Sequence, residues 1–559
     1  MLSSHLTKGL PARFKKAINT KHAQISATFG TFDADLTVLG ALDKIKNAHA
    51  LLDASDSQLC TLAKNCAKDC IKLRLNPFDD DYILLILIEY AKRQGVSICF
   101  DKKISVAGRI NRLTCQFWWR RQLRKTIGRD LEQGARDLGM VSRRAGIYAS
   151  DETTERRQQQ RNRNKNMLKT VVVVNELGQE YTLEQLAALG ISNPEIRRLE
   201  LMTRIAGFDE YAIKHGHHAD FITITAPSKF HCIKSDGTPN PKYNESTPRE
   251  AQAHLCHVWA KSRAYLATLG IKVYGFRVAE PHHDGTPHWH MVLFYEKKYN
   301  PHAIREILKT YALEVDGNEF GAEKHRFQCE PIDRKKGSAA GYLAKYISKN
   351  INGAGMDNDD FEGADLSKSV FRVDAWAACW GIRQFQQIGG APVGVWRELR
   401  LLGAVTVTDT GILLDLQHAA DSGNWYQYTE LQGGALVSRK ELSAKVHTVT
   451  DTDARGRYDG YGVTSCYGVR CTVSGEIVQT RLHEWVLKRA LAPAWSSVNN
   501  CNGNLIKKSE GIKNGATDGA GNSNYIAKTR QIEVENPTNR ASIVTEKRKR
   551  GARGFVGGG

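Results

Sequence analysis

The segment Arg277–Tyr295, RVAEPHHDGTPHWHMVLFY, decides how this chain is read. Asp284-Gly285 is a tight-turn dipeptide between two β-like runs, so a hairpin or a near relative of one is expected. In the second run His288 and His290 stand two apart. Side chains alternate faces along a strand, so both imidazoles point to one side, while Trp289, Met291 and Leu293 point to the other and can pack on helices. Glu280 in the preceding run can add a carboxylate. Two histidines and one carboxylate leave positions open for water and a phosphate oxygen, a donor set suited to Mg2+ or Mn2+. His-x-His pairs are also common on strand surfaces, so solvated histidines are the plain alternative. His282 or His283 could replace Glu280 as third ligand or simply be solvated turn residues. The clusters His215/His217/His218 and His254/Cys256/His257 lack a comparable geometry and are expected to be structural or exposed.

Further β-like runs surround this segment: FITIT from Phe221, VYGFRVAE from Val273 and RFQCEPI from Arg326. Helical patterns separate them, notably PREAQAHLCHVWAKSRAYLATLG, so the region is expected to be an α+β module with a central antiparallel sheet and flanking helices. After the last run comes GSAAGYLAKYISKN, a stretch of good helix formers. Tyr342 and Tyr346 are i and i+4 and share a face, and Lys345 and Lys349 repeat the spacing. A tyrosine hydroxyl can attack a phosphodiester when a metal polarises the phosphate and cations stabilise the developing charge. The alternative is an amphipathic helix whose tyrosines are half-buried packing residues.

The chain has 559 residues, with 79 Lys plus Arg against 60 Asp plus Glu, a formal charge of +19. That balance suits a partner rich in phosphates. Its longest strongly apolar run, Ile83–Ile88, falls far short of the roughly 20 residues that span a bilayer. The N-terminus has no apolar stretch of secretory type, so the cytoplasm is the expected compartment. Twelve cysteines scattered through such a chain are expected to stay reduced. Cys66 and Cys70 share a helix face but lack the second half of a metal site, so they are expected to be buried and structural. Residues 1–205 read as a mainly helical, basic domain, 206–400 as the catalytic module, 401–492 as a small accessory domain and 493–559 as a basic disordered tail. Within the first domain, FWWRRQLRKTIGRD from Phe117 and ERRQQQRNRNKN from Glu155 combine arginines with Trp118 and Trp119. They are read either as a DNA-contacting surface with stacking indoles or as a solvated helix face over core tryptophans.

A His-hydrophobic-His strand followed by a helix with paired tyrosines and lysines resembles the HUH endonuclease superfamily. The likeness extends to the gene A type replication initiation endonucleases of temperate tailed phages, through FWWRRQLRK, FITIT, PHWHMVLF, YLAKYISKN, RVDAWAACWGIRQFQQIGGAPVGVWRELR and AADSGNWYQYTELQGG. The resemblance implies a ferredoxin/RRM-like catalytic core in which His288 and His290 bind the metal and Tyr342 and Tyr346 are the nucleophiles. One would nick the origin and keep the 5′ phosphate, leaving a 3′ hydroxyl for a polymerase; the other would act after one round of rolling-circle replication and close the displaced circle. Lys345 and Lys349 would contact phosphates, and Glu280 is the third-ligand candidate. The expected substrate is single-stranded or supercoiled origin DNA in a bacterial host. The sequence contains no Gly-Lys-Ser/Thr P-loop, so a separate helicase, from the host, would unwind the duplex. A conjugative relaxase, a non-catalytic DNA-binding regulator and a phosphodiesterase using activated water are the competing readings.

Overall fold

In the computed structural model, the described residues lie within 7–488, with 8, 47–51, 99, 102–103, 336, 352, 354–365, 404–410 and 451–463 left out. The expected tail 493–559 lies outside the described residues.

The chain is α+β. Helices dominate its first half, including α1 (Gln116–Asp137) and α2 (Asp151–Thr170), and lead to α3 (Pro194–Lys214). Then follow β1 (His218–Thr225), α4 (Pro248–Thr268), β2 (Tyr274–Pro281), β3 (Pro287–Tyr295), α5 (Pro301–Leu313) and β4 (Phe327–Pro331). The central part closes with α6 (Ala339–Ile351), α7 (Leu366–Trp380) and β5 (Phe385–Ile388). The five strands form one antiparallel sheet in the order β4-β1-β3-β2-β5, which puts the histidine strand at its centre. β5 escapes a pattern search because FQQI is short and polar, as befits an edge strand.

Alternation along the central strands sorts their side chains into two layers. Ile222, Ile224, Trp289, Met291 and Leu293 face α4 and α5, joining Leu255, Val258, Ile304 and Leu308 in one core. On the opposite face Phe276, Val278, Val292 and Phe294 pack with Phe208 of α3 and with Leu343 and Ile347 of α6. Trp289 is fully buried and its indole N–H donates to Gln252 of α4 at 3.0 Å, which locks the ring and fixes which face the histidines take. The α4 start is a capping box, Thr247 with Glu250, followed by Pro248 at the first turn. Past 400, Trp425 and Tyr428 from the helix Trp425–Leu431 pack into the same core as Phe208, with short antiparallel strands beyond.

The turn between β2 and β3 is held from the N-terminal half. Gly285 takes the left-handed conformation at φ +82°, and its N–H donates to His282 O at 2.8 Å. The buried Arg136 guanidinium of α1 donates to Asp284 O at 3.0 Å, Phe230 O at 3.2 Å and Ser246 O at 2.9 Å. The Asp284 carboxylate accepts from the Cys232 and Thr286 backbone N–H groups at 3.1 and 3.0 Å. Burial alone would raise its pKa, but His231 at 3.2 Å, Arg136 and these donors hold it well below the carboxylate range.

The two tryptophans of FWWRRQLRK are core residues and not a stacking surface. Trp119 is fully buried with its indole N–H on Leu113 O at 2.6 Å, and Trp118 is 6% exposed in the same cluster as Cys66 and Cys70. Several arginines nearby are also structural. Arg124 pairs with Asp56, Arg157 of α2 pairs with Asp374 of α7, and Arg129 donates to Cys379 O. No helix among the described residues is long and apolar enough to cross a membrane.

Candidate active site

Strand register assembles the site. On β3, His288 lies opposite Glu280 of β2 and Thr225 of β1, and His290 lies opposite Val278 and Thr223. Directly opposed residues share a face, so the pairing of β2 with β3 brings Glu280 to the histidines. Coordinating atoms of Glu280, His288 and His290 all lie within 4.8 Å of one another, and the two imidazole Nε2 atoms are 3.0 Å apart. Thr223 Oγ1 holds His290 Nδ1 at 3.0 Å, which turns Nε2 toward the cluster. His288 Nδ1 is buried with no hydrogen-bond partner among the described residues. His282 stands behind His288 with ring centroids 4.1 Å apart, and His283 Nε2 lies 3.2 Å from Lys234 O. Among the described residues Glu280 is therefore the one that completes a three-donor group with the pair.

Burial lowers the pKa of His290 to about 3, with the Lys349 ammonium adding to the effect, and lowers His288 well below its usual value, with His282 and His290 beside it. Both imidazoles are thus neutral and have lone pairs to give. Burial raises the pKa of Glu280, partly offset by Lys349 and Asn350. A buried carboxylate and two neutral imidazoles converging on one point fit a divalent cation, whose charge would offset the cost of burying the anion.

The tyrosine helix α6 lies over this face. Its N-terminus is tied to α3, where the Asp209 carboxylate accepts from the Ala339 N–H at 2.8 Å and pairs with Arg334. The stripe Ala339, Leu343, Ile347 and Ile351 is buried. This seating turns Tyr346 onto His290, with rings stacked at 3.9 Å and 24°, and sets Phe221 beside it at 5.8 Å. Tyr342, one turn earlier, meets Phe221 at 5.6 Å. Burial and the nearby Glu280 raise the Tyr346 pKa, so its hydroxyl stays protonated near neutrality. Lys349 Nζ lies 3.7 Å from Glu280 Oε2, and Lys345 is exposed. Tyr346 and Lys349 line a cleft together with the cluster; Tyr342 is not among its walls.

Three residues not singled out by sequence complete the arrangement. Buried Asn350 donates to Glu280 Oε1 and to Tyr346 O, and accepts from Gln384 Nε2 at 2.8 Å. It continues the Tyr342/Tyr346 stripe by one more i+4 step, and that is the signal it offers. Thr223 is legible in the alternation of FITIT. Tyr148, whose ring lies 5.5 Å from Lys349 Nζ, comes from a loop far upstream and offers no local signal.

Residues 89–354 match the family described as Bacteriophage replication gene A protein (GPA). The chain is 39% identical over 424 residues to a probable replication protein of Pseudoalteromonas phage PM2, covering 74% of this chain and 64% of that one. It is 40% identical to the replication gene A protein of Escherichia phage 186, covering 71% of this chain and 60% of that one. Identity is 32% to a probable replication endonuclease from a prophage-like region of Shigella boydii, covering 71% and 52%. The chain thus spans between about half and two thirds of the length of these relatives. No solved structure matches it.

Proposed function

We propose that this chain, a relative of the gene A type replication proteins of phages, nicks one strand of a replication origin by tyrosine attack and so starts rolling-circle replication of phage DNA. The observation that carries the reading is the Tyr346 ring stacked on His290, in a cleft that also holds Glu280, His288 and Lys349. On this reading the sheet with its central histidine strand is an HUH endonuclease core of ferredoxin/RRM-like type.

Glu280, His288 and His290 would hold Mg2+ or Mn2+, which supplies positive charge to polarise the scissile phosphate. Tyr346 Oη attacks phosphorus and the P–O3′ bond breaks. The 5′ phosphate stays on the tyrosine, and the 3′ oxygen leaves with a proton as a hydroxyl that a polymerase extends. Tyr342, one turn along the same helix, serves the second exchange, in which a strand end moves from one tyrosine to the other and the displaced circle closes. Bond energy is kept in the phosphotyrosine, so religation needs no ATP. Lys349 stabilises the developing charge, and exposed Lys345 meets backbone phosphate. A separate host helicase opens the duplex.

The test is a denaturation-resistant adduct on labelled single-stranded origin DNA with Mn2+, in wild type, Tyr342→Phe, Tyr346→Phe and the double variant. Tyr346→Phe is expected to lose most of the adduct in a single turnover, and the double variant all of it. An adduct that survives the double substitution refutes the tyrosine assignment, and cutting without an adduct points to a water nucleophile.

A further inference from the structure

The cleft has a wall that the catalytic sheet does not supply. Arg143, Ile147 and Tyr148, from the loop between α1 and α2, line it together with Tyr346 and Lys349. This loop is built rather than loosely draped. Tyr148 adopts φ +70°, a conformation seldom tolerated by a bulky side chain, and such strain persists only where surrounding structure imposes it. Its N–H donates to His283 O at 3.2 Å, so it is docked on the turn between the ligand strands. A Cβ on Gly285 would come within 3.1 Å of Tyr148 O, and one on Gly146 within 2.7 Å of Ala149 O. Ala149 O accepts from Arg372 at 2.6 Å, and the Ser150 N–H donates to the buried Glu132 at 3.0 Å. Before Tyr148 the Gly146 N–H donates to Met140 O at 3.1 Å, so the loop is held on both sides of Tyr148, whose ring lies 5.5 Å from Lys349 Nζ.

Resting on the nicking reading, we infer that this loop is a strand-binding wall of the active site, and that Arg143 binds a backbone phosphate next to the scissile one. A strand with one phosphate at the Glu280/His288/His290 cluster must run its neighbouring phosphates past the cleft mouth. There Arg143 is the exposed wall residue, and its planar guanidinium matches a phosphate in bidentate fashion. Tyr148 is a positioning residue, buried against Lys349 and setting the course of the loop. The helical N-terminal half then contributes directly to the catalytic cleft.

The experiment uses the full chain with Tyr342→Phe and Tyr346→Phe to prevent cleavage, and measures anisotropy of labelled single-stranded oligothymidine with Mn2+ across a salt series. Each phosphate neutralised on a single strand contributes about −0.7 to the slope of log affinity against log salt. Arg143→Ala is expected to bind roughly tenfold more weakly at low salt and to flatten the slope by about 0.7, and Arg143→Lys to restore the slope. Arg144→Ala, an exposed neighbour outside the cleft wall, is the control and should keep the slope. An unchanged slope in Arg143→Ala, or an equal change in Arg144→Ala, overturns the inference. If instead the unmodified tyrosines give no adduct while Arg143→Ala still flattens the slope, the nicking reading fails and the strand-binding wall stands.

Discussion

Truncating Asn350 to Ala isolates how the carboxylate of the cluster is held. The Asn350 amide is buried, donates to Glu280 and to Tyr346 O, and accepts from Gln384. Once it is gone, Tyr346 O keeps its place in the helix ladder and half-buried Gln384 can reach water, so the loss falls on Glu280. A buried acceptor stripped of its donor costs about 1–3 kcal/mol while it remains ionised. Glu280 escapes that cost by holding a proton. Its pKa should therefore climb further above its usual value, which burial already raises. A cation must then displace this proton and meet a carboxylate no longer oriented, so Mn2+ affinity should fall about 10–100-fold. The deficit should widen as the pH is lowered, because the proton competes more strongly. Calorimetric titration of the full chain with Mn2+ on either side of neutrality reads both effects. Equal Mn2+ affinity for wild type and Asn350→Ala at both pH values would refute the reasoning, whatever the variant does to cleavage.

Other outcomes follow from the same packing. Arg136→Met should destabilise the chain by about 3–5 kcal/mol, because it removes four hydrogen bonds of a buried guanidinium to the turn and its surroundings, and with them a positive charge that, beside His231, offsets buried Asp284. A loss below about 1 kcal/mol in denaturant unfolding would show that the turn is held by something else. His282, His288 and His290 are all pushed down by burial, the first and last to about 3, whereas the unfolded chain takes up protons near 6.5. The unfolded state therefore binds more protons as the pH falls below about 6.5, so metal-free stability declines with acid and levels off below the folded pKa values. Each histidine contributes up to about 1.4 kcal/mol per pH unit, and the double variant His288→Asn/His290→Asn should show a shallower acid slope. An unaltered slope would place the protonation elsewhere. Trp119→Ala should cost about 3–5 kcal/mol of stability and leave the DNA affinity of the folded fraction unchanged. Full stability with lost affinity would return Trp119 to a stacking surface.

Local pattern carried much of the α+β layout. The period of two in PHWHMVLFY places His288 and His290 on one face whatever the tertiary context, and the helical period of YLAKYISKN does the same for Tyr342 and Tyr346. Both relations arise within a single element, where backbone geometry alone sets the answer. Burial of Cys66 and Cys70 also agrees with their shared helix face.

The remainder depends on which elements meet. Sequence favours Glu280 as third ligand but leaves His282 and His283 as alternatives; the antiparallel register sets Glu280 opposite His288, while His282 falls in the turn behind it. Phe117–Asp130 has the composition of a phosphate-binding surface, yet Trp118 and Trp119 are drawn into the helical core, where burying an indole outweighs keeping it available to a base. Asn350 becomes the partner of Glu280, and Tyr148 comes to lie beside Lys349, only after α6 has docked on the sheet and the loop before α2 has docked on the turn. Sequence alone determined the residues that share a face within one strand or one helix, because side-chain periodicity is a local property of the backbone. Tertiary structure decided which of those faces meet in one cleft, because strand register and helix docking are set by the collective burial of apolar surface along the whole chain.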